Sequence, residues 1–331
     1  MELRNLGSSE VKVTPLAFGA WAVGGWMWGG AEEQESVRAI RAAYEEGMTT
    51  IDTAPVYGFG RSEELVAKAM QGVQRDRYQI LTKFGMNWED EKGEYFFDTT
   101  DNAGKPFRMF KYAGKDKVRK ECEDSLRRLK TDYIDLLQIH WPDNTTPIAE
   151  SMGEVARLIE EGKVRAAGVC NYSAAQVEEA LKTVSIVSNQ VPYSMVFRDI
   201  EKEVVPQALK HNLGILPYSP LQRGLLTGKI TKDYKFNEGD TRPNTRFYKP
   251  ENLVRINDML DRIKPIAHKH NVTLSQVVIN WTAHRPAMAF VLVGARNEQQ
   301  VKENVKSMSF KLSDEDMNKI TALADALVLV D

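Results

Sequence analysis

Eight short apolar, β-branched runs recur along the chain, separated by longer segments of helical period, and this alternation restricts the fold more than any other feature. The runs lie at 16–19, 50–52, 80–84, 133–140, 164–170, 186–190, 215–218 and 290–293. Strands alternating with helices predict parallel pairing through crossover connections. Eight such units close a (β/α)8 TIM barrel of the α/β class, whereas a doubly wound sheet usually stops at about six strands. No Pro/Ser-rich linker or repeat divides the sequence, so residues 1–331 read as a single barrel domain. Ahead of the first run, residues 2–15 alternate around Gly7, Ser8 and Ser9. That pattern predicts an N-terminal β-hairpin able to plug one barrel end.

Helix starts are marked by two capping boxes, Ser173 with Gln176 and Thr273 with Gln276, in which hydroxyl and amide satisfy free backbone donors. Between 118 and 129, Val118, Cys122, Leu126 and Leu129 form one inward stripe. Two long segments, 85–114 after the third strand and 222–250 after the seventh, read as loops. In a barrel, the loops that follow strands surround the active site.

Composition narrows the partners. With 44 basic and 46 acidic side chains the net charge is −2, far from the footprint of a nucleic-acid binder. Cys122 and Cys170 are the only cysteines, too few for a disulfide framework and without metal-ligand spacing. His268 and His270 stand two apart on a helical segment, where side chains diverge, so no metal is expected. Neither a signal peptide nor a membrane-spanning apolar run is present, and the expectation is a cytoplasmic protein with no membrane partner. A monomer is expected, because no apolar helix face is left over beyond what the barrel needs.

The carboxyl ends of the strands collect Asp52, Lys83 and His140, with Tyr57 on the loop five residues past Asp52. A lysine flanked by Leu81 and Phe84 is costly to bury without an opposite charge, and Asp52 on the neighbouring strand can supply it. The pair alone is compatible with a purely structural barrel ion pair. Beside a tyrosine it gains a second meaning. A phenol titrating near about 10 is a poor acid unless a cation favours its ionised form. With Lys83 as that cation and His140 to orient an oxygen, the group suits delivery of one proton to a carbonyl as charge develops there.

The segments Asp52-Thr53-Ala54-Pro55-Val56-Tyr57-Gly58, Leu81-Thr82-Lys83 and Asp135-Leu136-Leu137-Gln138-Ile139-His140 resemble the three signature regions of the aldo-keto reductases. The resemblance runs from Leu16 to about Leu323 and is closest to a bacterial general-stress and potassium-channel β-subunit-like branch. It implies a reductase that converts aldehydes and ketones to alcohols with NADP(H). Tyr57 would be the general acid, Lys83 its modulator, Asp52 the lysine's partner and His140 the substrate-orienting group. A redox-sensing regulatory protein with weak turnover is the alternative the same branch permits.

The resemblance extends to the cofactor. It implies contacts from Ala20, Trp21 and Asp52 at the first strands, and from Asn171 and Gln190, whose amides can hold the nicotinamide carboxamide. It places Tyr218 against the ring, with Ser219, Leu221, Arg223 and Gly224 beyond it, and Lys229 and Arg242 near the pyrophosphate. Gly294, Arg296, Gln300 and Asn304, opening the last barrel helix, resemble an adenosine 2′-phosphate site. Cys170 stands where the family commonly has a serine, which puts one carboxamide contact in question. Trp21, Trp28, Trp88, Trp141 and Phe197, all in loops after strands, are expected to wall an apolar pocket for a small carbonyl substrate.

Overall fold

The computed structural model describes residues 1–27, 32–237 and 240–330. Eight parallel strands form the barrel wall: β1 (Leu16–Gly19), β2 (Thr50–Asp52), β3 (Gln79–Phe84), β4 (Leu136–Ile139), β5 (Ala167–Cys170), β6 (Ile186–Pro192), β7 (Gly214–Tyr218) and β8 (Val291–Gly294). Their order is β7-β6-β5-β4-β3-β2-β1-β8. The seam between β7 and β8 is narrowed by Ile215, whose N–H donates to the Ala287 carbonyl at 2.8 Å and whose carbonyl accepts from the Ala289 N–H at 3.0 Å. The result is a nearly closed barrel with helices between the strands.

All eight expected runs become strands, the first two with the expected ends and the others with shifted ones. The fourth begins at Leu136, not at 133. The Asp135 side chain takes a guanidinium hydrogen from Arg75 at 2.6 Å and the Ile80 N–H at 2.9 Å, and the stretch ahead of Leu136 keeps one isolated bridge, at Ile134. Both capping boxes form as read.

Alternation along the strands sorts the barrel interior into two layers. Leu81, Leu136 and Leu216 lie in the lower, apolar layer, which the N-terminal hairpin (Arg4–Asn5 paired with Lys12–Val13) seals with the fully buried Leu6 and Val13. Gly7 turns that hairpin at φ 54°, and a Cβ there would stand 2.3 Å from the Val187 carbonyl oxygen. Two residues further along the same strands, Lys83 and Gln138 form the upper, polar layer with Asp52, Cys170 and Gln190. The fold thus stacks a polar cluster on a dry floor.

The segment 85–114 is not an irregular loop. It folds into three antiparallel strands, Met86–Asn87, Glu94–Thr100 and Pro106–Lys111. Its far end is tied to the first barrel loop, where the Trp26 indole N–H donates to the Thr100 carbonyl at 3.1 Å and the Trp26 and Phe97 rings stack at 6.4 Å. The ribbon forms a roof over the barrel mouth. Among its described residues, segment 222–250 carries short 3-10 turns at Gln222–Thr227, Arg242–Asn244 and Arg246–Tyr248 and runs into a helix that begins at Pro250. No helix among the described residues is long and apolar enough to cross a membrane.

Candidate active site

Lys83 is completely buried, and its Nζ donates to Asp52 Oδ1 at 2.6 Å and to the Thr53 carbonyl at 2.9 Å. Asp52 ends β2 in register with Leu81 of the adjacent β3, and Lys83, two residues further along, reaches its carboxylate. The other carboxylate oxygen, Oδ2, accepts amide hydrogens from Gln190 at 2.9 Å and Gln138 at 3.3 Å. Every charge in this cluster is therefore answered, as burial demands. Burial by itself would depress the Lys83 pKa, but Asp52, Tyr57 and Cys170 together oppose it and the ammonium is held above its ordinary value.

Above the pair stands Tyr57, its ring centre 4.9 Å from Lys83 Nζ. The turn that carries it is fastened to the first loop through Ala20, whose N–H donates to the Asp52 carbonyl at 2.8 Å and whose carbonyl accepts from Ser62 Oγ at 2.9 Å. Desolvation pushes the phenol up to about 12, with Asp52 adding to the rise and Lys83 opposing it by charge and hydrogen bonding. His140 meets the Tyr57 ring edge-on at 5.6 Å. Its pKa is driven well below 6.5 by desolvation and by Lys83, so the imidazole is neutral at physiological pH. The geometry supplies one protonated acid over a fixed cation, beside an uncharged imidazole.

A cavity of about 640 Å³ opens over these groups, within the size range of small-molecule sites. Tyr57, His140 and Asp52 line one part of it. The same wall carries Asn171, Gln190 and Tyr218, then Ser219, Leu221, Arg223 and Gly224, together with Gly294, Arg296, Gln300 and Asn304. Asn171 and Ser219 take φ of 59° and 58°, the left-handed region that side chains other than glycine rarely occupy. Asn171 is held there by its Nδ2 donating to the His140 carbonyl and its Oδ1 accepting from Tyr218 Oη, both at 3.0 Å.

Other expected contacts fall elsewhere. Ala20 is wholly buried in the loop tie just described. Cys170 is buried and faces Gln138, with Sγ 3.7 Å from the amide oxygen. Lys229 is exposed off the cavity, and Arg242 is engaged by Asp240 at 2.6 Å. Trp21 and Trp141 line the cavity, and Trp21 stacks on Tyr57 at 6.1 Å. Trp88 packs on Phe59 and Phe197 on Phe247, both outside the cavity wall. Trp28 lies outside the described residues. Sequence reasoning gave no individual pocket role to Trp26, Met86, Phe96 and Phe97, which join this wall. It gave no role to Gln138, since an amide inside a strand carries no periodic signal.

The comparisons agree with this geometry. A family model described as "Aldo/keto reductase family" matches residues 15–325. The chain is 34% identical over 330 residues to "Aldo-keto reductase YhdN" of Bacillus subtilis, covering 98% of this chain and 94% of that protein. It is also 34% identical to the "NADH-specific methylglyoxal reductase" of Escherichia coli, covering 97% of this chain and 98% of that one. Among solved structures, the glycerol dehydrogenase AKR11B4 of Gluconobacter oxydans superposes with a TM-score of 0.87 at 36% identity, covering 98% of this chain and 96% of the other.

Proposed function

The chain belongs to the aldo/keto reductase family, and from that premise we propose that it reduces apolar aldehydes and ketones to alcohols with NADP(H), Tyr57 acting as the general acid. The observation that carries this reading is the fully buried Lys83–Asp52 pair at 2.6 Å beneath a tyrosine on the cavity floor. A purely structural ion pair needs neither the tyrosine above it nor the open cavity beyond.

The residues present fit a nicotinamide dinucleotide. An amide and phenol set, Asn171, Gln190 and Tyr218, shares the lining of one cavity with the guanidinium of Arg296. Asn171 and Gln190 would hold the carboxamide, and Tyr218 would lie against the ring. Ser219, Leu221, Arg223 and Gly224 would follow the chain of the molecule. Arg296, Gln300 and Asn304 would take the 2′-phosphate, the feature on which preference for NADP(H) over NAD(H) rests. When bound, the reduced nicotinamide supplies a hydride to the carbonyl carbon.

The protein's own part is the proton. Tyr57 transfers its phenolic hydrogen to the carbonyl oxygen as that oxygen becomes negative, leaving a phenolate that the Lys83 ammonium stabilises. Asp52 keeps Lys83 charged and in place. His140, neutral, orients the carbonyl by hydrogen bonding and does not compete as the acid. The substrate class follows from the walls: Trp21, Trp26, Met86, Phe96, Phe97 and Trp141 surround the reacting end, and the arginines among the lining residues, Arg223 and Arg296, stand on the cofactor's side. Uncharged aromatic or branched aldehydes match that surface. Oxidation of NADPH by the purified protein across a panel of aldehydes tests the proposal.

A further inference from the structure

Gln138 is an upper-layer residue to which the reaction assigns no part. It lies wholly buried on β4, in register with Lys83 on one side and Gly168 on the other. Its Nε2 donates to Asp52 Oδ2 at 3.3 Å and its Oε1 accepts from Cys170 Sγ at 3.7 Å. An amide turned end for end would set its oxygen against the carboxylate, so both contacts select one orientation. Gly168 leaves room for this side chain to cross the barrel. A Cβ there would come within 3.1 Å of Gln138 Cγ and 2.5 Å of Ser188 Oγ. Three residues, Gly168, Cys170 and Gln138, thus combine to point one N–H at Asp52.

We propose that Gln138, oriented by Cys170, is a positioning residue for carbonyl reduction: its amide shares the charge on Asp52 with Gln190 and Lys83, and so sets how readily Tyr57 gives up its proton. The thiol at 170 thereby has a task of its own, holding the amide instead of reaching the cavity. The inference rests on Tyr57 being the acid.

The sign of the effect follows from charge. Tyr57 faces Lys83, Asp52 and Cys170, with the neutral His140 ring at its edge and Tyr218 nearby. Among these, Lys83 favours the ionised phenol, and Asp52 opposes it. An N–H donated to Asp52 withdraws part of that opposition, so removing it makes the phenol a weaker acid.

Gln138→Met keeps the volume and deletes the donor. Its expected result is a fall in kcat/KM for reduction together with an upward move, of about half a pH unit or more, in the pH at which Tyr57 ionisation breaks the profiles of reduction and of alcohol oxidation. Cys170→Ala should move the break the same way by a smaller amount, and should add little in the Gln138→Met background, because the uncharged thiol acts chiefly through the amide. If Gln138→Met fails to fold, Cys170→Ala alone reads the same chain of contacts. An active protein whose profile is unmoved by these changes, or in which the two add independently, overturns the inference while leaving Tyr57's role intact. A wild-type protein that turns over no carbonyl overturns the proposed function, and this inference with it.

Discussion

Lys83 and Tyr57 stand in a fixed relation, the ammonium 4.9 Å from the centre of the phenol ring while the same nitrogen is pinned to Asp52 at 2.6 Å. Lys83→Met breaks both contacts. Without the cation the phenol becomes a weaker acid, and Asp52 is left buried and unpaired. Aldehyde reduction should fall by about a hundredfold or more, and the upper break of its pH profile should move higher. Denaturant titration should register a loss of about 3–5 kcal/mol, the usual consequence of stranding one partner of a buried pair. Full activity with an unmoved profile would leave the pair a structural one.

His140 makes stability depend on pH. Its folded pKa lies well below 6.5, so under mildly acidic conditions the unfolded chain binds a proton that the folded chain refuses. The contribution of the neutral imidazole is complete above about pH 6.5 and erodes as pH falls below it, by at most about 1.4 kcal/mol per unit. His140→Asn, which cannot titrate, should lose less stability than wild type between pH 7 and pH 5. Parallel urea midpoints for the two proteins over that range would contradict the shift.

The ribbon should select substrates without serving the cofactor. Phe97 lines the reacting end of the cavity and stacks on Trp26. Phe97→Ala should raise KM for bulky aromatic aldehydes by about tenfold, as expected for losing one large apolar contact, with little change for the smallest aldehydes or in the NADPH dissociation constant. Equal losses for all substrates together with loss of cofactor would assign the ribbon a packing role.

Cofactor preference should rest on Arg296. A hydrogen bond to a charged group contributes about 1.5–3 kcal/mol, so Arg296→Ala should weaken NADPH by at least about tenfold and leave NADH nearly untouched. Fluorescence titrations with both cofactors measure this. The Escherichia coli relative is named as NADH-specific, which makes the comparison informative in either direction. Equal weakening of both would place the arginine on the adenine or in the fold.

The barrel and the residues at its strand ends were legible because each rests on a local signal. Asp52, Lys83 and His140 end apolar runs, and Tyr57 follows at a fixed distance. The ribbon was not legible, since the burial of Glu94–Thr100 departs from strict alternation and the apolar cluster beneath it is shared with Trp26, Ala54 and Val56 from distant parts of the chain. Trp88 and Phe197 were expected in the pocket from their loop positions alone, and loop position does not fix which way a ring turns. Gln138 and Cys170 escaped for another reason. Their pairing joins β4 and β5 through side chains, and no spacing in one strand records it.

The central claim is that Tyr57 donates the proton. Tyr57→Phe keeps the ring and removes the hydrogen, and NADPH consumption with a panel of aldehydes, followed beside the NADPH dissociation constant, tests the claim most directly. The expected result is a loss of about a hundredfold to ten-thousandfold in kcat with cofactor affinity unchanged. Reduction within a few-fold of wild type would contradict it.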